Sequence, residues 1–355
     1  MSSVYVIAEA GVNHNGRRDL AFELIDAAAS AGADAVKFQT FDAKKLASTI
    51  APKARYQTQS TGSEESQLEM LKALELPRSW HVDLKTHAQS KKIEFLSTAF
   101  DLDSLEFLQQ LGVQKYKIPS GELINASLMW HFAQTGKDLI VSTGMATLGE
   151  VEFGLAVLAH GFNSDSEPAT VDEVWRGWSN QEWRESVKKR VILLHCTSQY
   201  PTPLSEVNLR AMDVLSTSFG TPVGYSDHTE GTLVPVMAVA RGAKVVEKHF
   251  TLDRSFPGPD HAASLEPDEL NSMVQQIRQI EVALGSGVKA PQPSEWDTRL
   301  AVRQQVVAAR DIIAGATIRR EDLTTSRCGA GISASELWNL IGTKARADKK
   351  MGEPL

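Results

Sequence analysis

Short apolar stretches and longer amphipathic stretches alternate along the first 285 residues of the chain. Between most of the short stretches, apolar positions recur every three to four residues, as they do in helices that pack on one face. Clear examples of this period are residues 18–32, 102–112 and 266–285. The eight stretches that read as buried strands are 4–10, 35–41, 93–100, 115–121, 138–144, 191–197, 222–227 and 244–250.

Strict alternation of strands and helices predicts a parallel sheet covered by helices. Eight such units within about 285 residues predict an α/β fold of the (β/α)8 TIM-barrel type, which typically needs about 250 residues. An open doubly wound sheet is the structural alternative, but no GxGxxG pattern follows the first strand. We therefore expect residues 1–285 to form a barrel.

The rest of the chain changes character. Residues 286–302 are rich in Gly, Pro, Ser and charge, which predicts a linker. Residues 303–355 contain short β-branched runs and one short helical pattern, which predict a small β-rich domain that needs a partner surface to pack on. The polar, tryptophan-containing segment 163–190 precedes the sixth strand, so we expect it on the barrel face away from the active site.

Composition excludes several classes of protein. The formal net charge of −7 argues against nucleic-acid binding. The two cysteines, Cys196 and Cys328, imply no disulfide framework and fit a reducing, cytoplasmic location. The first residues lack a signal-peptide pattern, and no apolar run approaches 18 residues, so we expect no membrane segment.

Polar side chains gather at the predicted carboxyl ends of the strands, where barrel enzymes place their active sites. Alternation puts Ser226 and His228 on one face and Asp227 on the other. It likewise puts Glu247 and His249 on one face and Lys248 on the other. The candidate site residues at or just after these ends are Glu9, Lys37, Thr98, Lys117, Ser120, Glu122, Ser142, Tyr200, Ser226, His228, Glu247, His249 and Asp260.

Two kinds of chemistry are suggested by this set. Lys37 and Lys117, with the neighbouring hydroxyls, suit a phosphate or carboxylate group, although the hydroxyls could instead cap helices and a lysine could form a Schiff base. His228 and His249 could hold one divalent metal ion, or form a hydrogen-bonded core pair. Glu9 or Glu122 could act as a ligand or as a general acid/base, or pair with a lysine.

Ten sequence strings together resemble the sialic acid synthase family, in its N-acetylneuraminate and legionaminate branch. They run in the family's order over essentially the whole chain, and residues 56–76 also resemble that branch. The tail, with IIAGATIRREDL and SRCGAGIS, is similar to the antifreeze-like (SAF) domain that ends these synthases. The strings are IAEAGVNHNG, VKFQTF, LSTAF, YKIPSGE, STGMATLGE, LLHCTSQYP, VNLRAM, GYSDHT, VEKHFTLD and GPDHAASLEPDEL.

The resemblance implies a domain-swapped homodimer that condenses phosphoenolpyruvate with an N-acylated mannosamine-type sugar. It implies that His228 and His249 bind a divalent metal, Mn²⁺ first, with Mg²⁺ or Co²⁺ as alternatives. Glu9, Glu122 and Glu247 would be the active-site carboxylates. Phosphoenolpyruvate would be held by Lys37, Thr98, Lys117, Ser120, Ser142 and Ser226. The sugar would be bound by Tyr200, Asp260 and, from the capping domain, Arg327.

Two positions depart from the family pattern: Cys328 stands in place of the proline after Arg327, and Ser198 stands where some members have asparagine. Both departures bear on the sugar. The expected activity is N-acetylneuraminate synthesis from N-acetylmannosamine, and the alternative is a legionaminic acid synthase that uses 2,4-diacetamido-2,4,6-trideoxymannose. A Schiff-base aldolase and a non-catalytic binding protein are the remaining alternatives.

Overall fold

The computed structural model describes residues 3–54, 57–58 and 66–355. The chain splits into two compact units, Met1–Gly285 and Ser286–Leu355. The predicted linker, 286–302, belongs to the second unit and contains a short helix, Trp296–Val302. Part of the segment 56–76 on which the branch resemblance rests, namely residue 56 and residues 59–65, lies outside the described residues.

The first unit is built around eight parallel strands that follow one another in sequence order. β3 and β4, at the two ends of that order, also contact each other, so the sheet closes on itself. A doubly wound sheet would require the strand order to reverse. The TIM-barrel prediction is confirmed. The strands are β1 (Tyr5–Gly11), β2 (Ala35–Thr40), β3 (Glu94–Ala99), β4 (Lys115–Ile118), β5 (Asp138–Ser142), β6 (Val191–His195), β7 (Val223–Asp227) and β8 (Val245–His249).

Helices separate the strands, and several of them begin at a side-chain cap. The Asp101 carboxylate, for example, accepts a hydrogen bond from the backbone of Ser104, and the same helix ends at Gly112, whose φ of 75° is costly for other residues. The segment 163–190 forms two of these helices. The α-helices with described bounds in this unit are Arg18–Ser30, Ala43–Leu46, Gln67–Leu74, His81–Ser90, Leu102–Leu111, Ala126–Gln134, Leu148–Asn163, Val171–Ser179, Gln181–Arg190, Ala211–Phe219, Leu233–Ala240 and Pro267–Leu284.

The barrel interior is layered along the strands. One end is filled by an apolar layer made of Ile7, Ala35, Leu96, Ile140, Leu194 and Val245. Because strand side chains alternate, the residue two positions further on points to the same interior. On five strands that next residue is polar: Glu9, Lys37, Thr98, Ser142 and Glu247. The apolar layer therefore forms the floor on which a polar site stands.

The second unit has a small antiparallel sheet of β9 (Gln305–Ala308) and β10 (Leu323–Ser326), with a second short helix at Leu337–Leu340. Its own core contains Val306, Ala308, Ile312, Ile318, Leu323, Leu337 and Ala345. In neither unit do the described residues include a helix that is both long enough and apolar enough to cross a membrane.

Candidate active site

A chain of buried charges crosses the barrel interior. Lys37 lies between two carboxylates, with its Nζ 2.6 Å from Glu9 Oε2 and 3.7 Å from Glu247 Oε2. Lys117 Nζ lies 3.0 Å from Glu247 Oε1. All four side chains are 5% exposed or less. Since isolated buried charges are costly, each of these groups depends on its neighbours to remain ionised.

Hydroxyl groups complete this network. Lys37 Nζ donates to Thr98 Oγ1 at 2.9 Å, and Ser226 Oγ donates to Glu247 Oε1 at 2.8 Å. The buried Ser142 Oγ has no hydrogen-bond partner within the part of the chain that the structure describes. A buried hydroxyl without a partner is a favourable contact for an incoming anion, because it can donate without losing another bond.

The two carboxylates are in different electrostatic states. The pKa of Glu9 is raised to about 7, because the effect of burial, together with the nearby Glu247 carboxylate, outweighs that of Lys37, which acts to lower it. At Glu247 burial also acts to raise the pKa, but Lys117 and Lys37 outweigh it and hold the pKa well below its usual range. Glu247 is therefore a fixed anion, whereas Glu9 can exchange a proton near neutral pH.

The two predicted metal-binding histidines lie next to each other at the top of β7 and β8. The ring centroids of His228 and His249 are 5.6 Å apart, and the Tyr200 ring contacts both. His228 Nδ1 lies 2.6 Å from the carbonyl oxygen of Thr197, which can only accept, so the proton is on Nδ1. His228 Nε2 is then an acceptor, and the Tyr200 hydroxyl lies 3.0 Å from it.

Both imidazoles are suited to be metal ligands in their protonation state. Burial lowers the pKa of His228 to about 4, and burial together with His228 and Lys37 lowers that of His249 well below its usual range. They are neutral at pH 7, as metal ligands must be. His249 Nδ1 is buried with no hydrogen-bond partner among the described residues and lies 3.8 Å from Asp260 Oδ2. An unsatisfied buried nitrogen facing a carboxylate fits a cation site.

The protein supplies only part of a coordination shell. Among the described residues, no group of three or more His, Cys, Asp or Glu side chains is arranged to hold a metal ion. Burial raises the pKa of Asp260 to about 6. The His228–His249 pair is consistent with an open site, in which water or substrate provides the remaining ligands.

All of these groups line one cavity of about 450 Å³, a size that suits a small-molecule substrate. One side of it is ionic. Another side is apolar and is formed by Val12, Leu46, Met70, Leu71, Leu74 and Phe100. We call these six residues the apolar wall. Three of them lie on the helix Gln67–Leu74, which packs in a small cluster separate from the main core.

Comparison with known proteins gives the chain its family. Residues 24–289 match the NeuB family, and residues 303–355 match the SAF domain. The NeuB match covers well over half of the chain. This protein belongs to the NeuB family.

Named relatives agree with this assignment. The chain is 46% identical to N,N'-diacetyllegionaminic acid synthase of Legionella pneumophila, covering 99% of this chain and 93% of the relative. It is 45% identical to N,N'-diacetyllegionaminic acid synthase of Campylobacter jejuni, covering 99% of each chain. The crystal structure of N-acetylneuraminic acid synthetase from Leptospira borgpetersenii aligns with a TM-score of 0.70 at 32% identity, covering 85% and 93% of the two chains. The predicted resemblance to sialic acid synthases, with a SAF tail, is confirmed.

Most of the residues predicted for the site lie together in this NeuB cavity. The candidates that line it are Glu9, Lys37, Thr98, Lys117, Ser120, Ser142, Tyr200, Ser226, His228, Glu247, His249 and Asp260.

Two of the predicted site residues, Glu122 and Arg327, do not line the cavity of the barrel unit. Glu122 ends the short turn Ser120–Glu122, does not line the cavity, and accepts a hydrogen bond from Asn125 Nδ2 at 2.7 Å. The expectation that Glu122 is an active-site carboxylate therefore has no support in the geometry. Arg327 lies just after β10, exposed, in the second unit.

Two features of the cavity were not predicted from the sequence. Cys196 lines it, with Sγ 3.3 Å from Ser120 Oγ, and lies two positions after Leu194 of the apolar floor. The alternation that identified Ser142 and Glu247 therefore also indicated Cys196. The apolar wall was missed because the helical pattern at 67–74 predicts a helix but not the surface that the helix covers.

We predict that the Glu9 carboxyl titrates near pH 7, whereas Glu247 stays ionised throughout. Since burial raises the pKa of Glu9, the folded protein holds this proton more tightly than the unfolded chain. Its contribution to stability is therefore full below pH 4.5 and is lost as the pH rises through about 7. Carboxyl ¹³C NMR with selectively labelled glutamate should show one midpoint near 7 that disappears in Glu9→Gln.

The variant Lys37→Met tests whether the charge of Lys37 contributes to the pKa of Glu9. Lys37 lowers the pKa of Glu9, so its removal should move the midpoint to higher pH. A Glu9 midpoint near 4.5 in the wild-type protein would contradict the assignment.

Proposed function

We propose that this protein is a synthase that joins phosphoenolpyruvate to an N-acylated amino sugar and releases phosphate. The observation that carries the proposal is the convergence, in one cavity, of two lysines, several hydroxyl groups and a neutral histidine pair. Such a cavity offers an anion site beside a cation site, as a reaction between an anionic enol phosphate and an aldehyde requires. Membership of the NeuB family supports it.

The anion site is assigned to the lysine and hydroxyl groups. Phosphoenolpyruvate has a carboxylate and a phosphate, and ammonium and hydroxyl donors bind both kinds of group. Lys37 and Lys117 are the cations, and their partners Glu9 and Glu247 keep them charged while the cavity is empty. The hydroxyl donors are Thr98, Ser120, Ser142 and Ser226.

The cation site is assigned to His228 and His249, with Mn²⁺ as the proposed ion. When bound, such an ion supplies Lewis acidity that polarises a carbonyl oxygen. The protein's contribution is to hold both imidazoles neutral and fixed, with the Thr197 carbonyl setting the tautomer of His228. Asp260, beside His249, is placed to accept a hydrogen bond from a sugar hydroxyl.

Glu9 is the proposed acid/base. Carbon 3 of phosphoenolpyruvate forms the new bond to the sugar aldehyde carbon, and positive charge develops at carbon 2. The aldehyde oxygen becomes an alkoxide as its π bond to carbon breaks. Water adds at carbon 2, and one of its protons passes to the Glu9 carboxylate and from there to the alkoxide. Phosphate then leaves with the other proton as its oxygen–carbon 2 bond breaks, and carbon 2 becomes a ketone. A pKa of about 7 lets Glu9 take up and return this proton at neutral pH.

A Schiff-base mechanism is less well supported. It requires a neutral, nucleophilic lysine amine. Glu247 and Glu9 raise the pKa of Lys37 in spite of its burial, and Lys117 is paired with Glu247. Lys37 is therefore held as a cation, and Lys117 is already engaged in an ion pair.

For the acceptor sugar, we propose 2,4-diacetamido-2,4,6-trideoxymannose, so that the product is N,N'-diacetyllegionaminic acid. We expected N-acetylneuraminate synthesis from the sequence, but relatives at 46% and 45% identity are named N,N'-diacetyllegionaminic acid synthases and favour the alternative. The apolar wall also favours it, because a trideoxy sugar with two acetyl groups presents methyl groups where N-acetylmannosamine has hydroxyls.

Arg327 is proposed to contact the sugar's acylamino group from the SAF domain of a partner copy in a homodimer, as the family resemblance implies. Arg327→Ala should therefore raise KM for the sugar at least about tenfold and leave KM for phosphoenolpyruvate nearly unchanged. Equal losses for both substrates would contradict this role.

The metal assignment predicts that His228→Ala and His249→Ala each lower kcat by at least about a hundredfold. The metal-free wild-type protein should be inactive and should recover with added Mn²⁺. Mn²⁺ binding, followed by electron paramagnetic resonance of the free ion, should be lost in both variants. His131→Ala, which changes a histidine at the surface of the barrel, is the control and should bind Mn²⁺ normally. Full turnover in the presence of a strong chelator would exclude the metal.

The acceptor assignment predicts a kcat/KM for the trideoxy sugar about a hundredfold above that for N-acetylmannosamine. Leu71→Asn, in the apolar wall, should narrow this ratio by lowering kcat/KM for the trideoxy sugar. The control Val282→Asn, at a position that is 82% exposed on the last barrel helix, should leave the ratio unchanged. A preference for N-acetylmannosamine would contradict this assignment and would favour N-acetylneuraminate synthesis as the activity.

A further inference from the structure

Successive cross-strand pairs of β7 and β8 point alternately to the two faces of the barrel wall. Ser226 pairs in register with Glu247, and Asp227 with Lys248. Ser226 and Glu247 point into the cavity and are hydrogen-bonded at 2.8 Å. The next pair, Asp227 and Lys248, points the other way. The next residue on each chain segment is a histidine, His228 or His249, and both line the cavity.

The outward pair is an ion pair that is fully removed from solvent. Lys248 Nζ lies 2.6 Å from Asp227 Oδ2, and both side chains are 0% exposed. Lys248 also donates to the carbonyl oxygen of Thr229. The Thr229 hydroxyl and backbone N–H in turn donate to Asp227, at 2.9 Å and 3.2 Å to Oδ1. The ammonium group thus ties the end of β8 to both sides of His228.

Neither member of this pair lines the cavity, so neither has a direct role in substrate binding. A buried ion pair is also a weak source of stability, because desolvation of the two charges offsets their attraction. Its geometry, however, is restrictive: a short contact between side chains on adjacent strands fixes the spacing and orientation of the two backbones. Each partner directly precedes one of the two histidines in the chain.

We propose that Asp227 and Lys248 are positioning residues, and that their ion pair sets the distance and orientation between the His228 and His249 imidazoles. The ion pair on the outer face fixes the ends of the two strands. Each histidine is the next residue in the chain, so its position on the inner face is fixed as well. The histidine pair is then preformed in the absence of metal. This inference rests on the proposed role of the two histidines, and it concerns how the protein holds them.

The test compares two charge-removing double variants. Asp227→Asn with Lys248→Met removes the outward pair without leaving an unpaired buried charge. Glu94→Gln with Lys115→Met is the control. That Lys–Glu pair, at 2.7 Å and partly exposed, also joins two adjacent strands, at the starts of β3 and β4, at the other end of the barrel from the histidines. Both are examined as full-length, metal-free protein by melting temperature, Mn²⁺ affinity and imidazole ¹⁵N NMR.

We expect the Asp227/Lys248 double variant to melt close to the wild-type temperature but to bind Mn²⁺ at least about tenfold more weakly, as is typical when residues that orient metal ligands are changed. The imidazole signals of His228 and His249 should shift, while those of the buried His81 stay in place. The control should bind Mn²⁺ like the wild type. Wild-type affinity and unchanged imidazole signals in the Asp227/Lys248 variant would overturn the proposal.

Asp227→Glu keeps both charges and adds one methylene group to the pair, so it tests geometry without removing the charge. Weakened Mn²⁺ binding is expected, and wild-type affinity would overturn the proposal even if the double variant fails to fold. The two proposals fail in different ways. A wild-type protein that binds no Mn²⁺ at the histidines contradicts the proposed function, while the imidazole spectra of the metal-free variants still decide whether the pair positions them.

Discussion

Charge balance inside the barrel is the constraint on which the site depends. Glu9, Lys37, Glu247 and Lys117 lie where water scarcely reaches them, so each ion must be compensated by another. An anion that enters the cavity competes with the carboxylates for the lysines. Burial disfavours the ionised form of Glu9, whereas the two lysines outweigh burial at Glu247, so Glu9 is the member of this network that can take up a proton during the reaction.

The place of this network follows from the period of the strands. The floor residues Ile7, Leu96 and Val245 fill the barrel, and the residues two positions later on the same strands are polar. Local sequence is sufficient to predict both layers, because alternation and the carboxyl-end rule need no knowledge of distant contacts. For that reason the barrel and twelve of the candidate residues could be predicted from the chain alone.

Pairing within the network could not be predicted in the same way. Glu247 is bonded to Lys117, 130 residues away in the chain, and Lys37 contacts both carboxylates. Such choices depend on barrel radius and side-chain reach. Glu122 shows the limit of the carboxyl-end rule, since a single turn after β4 carries its carboxylate to Asn125. The apolar wall could not be predicted from the sequence either, because its residues come from four separate segments of the chain.

The charged and histidine side chains of the cavity come from different parts of the fold than the apolar wall does. The charges and the histidine pair come from β-strands or their immediate ends, where a shift of one residue would turn every side chain to the other face. The apolar wall comes from connections after β1, β2 and β3, including the helix Gln67–Leu74. Connections tolerate substitution far better than a barrel wall does. On the proposed function, a change in the wall would therefore alter which sugar fits while the anion and cation sites remain intact.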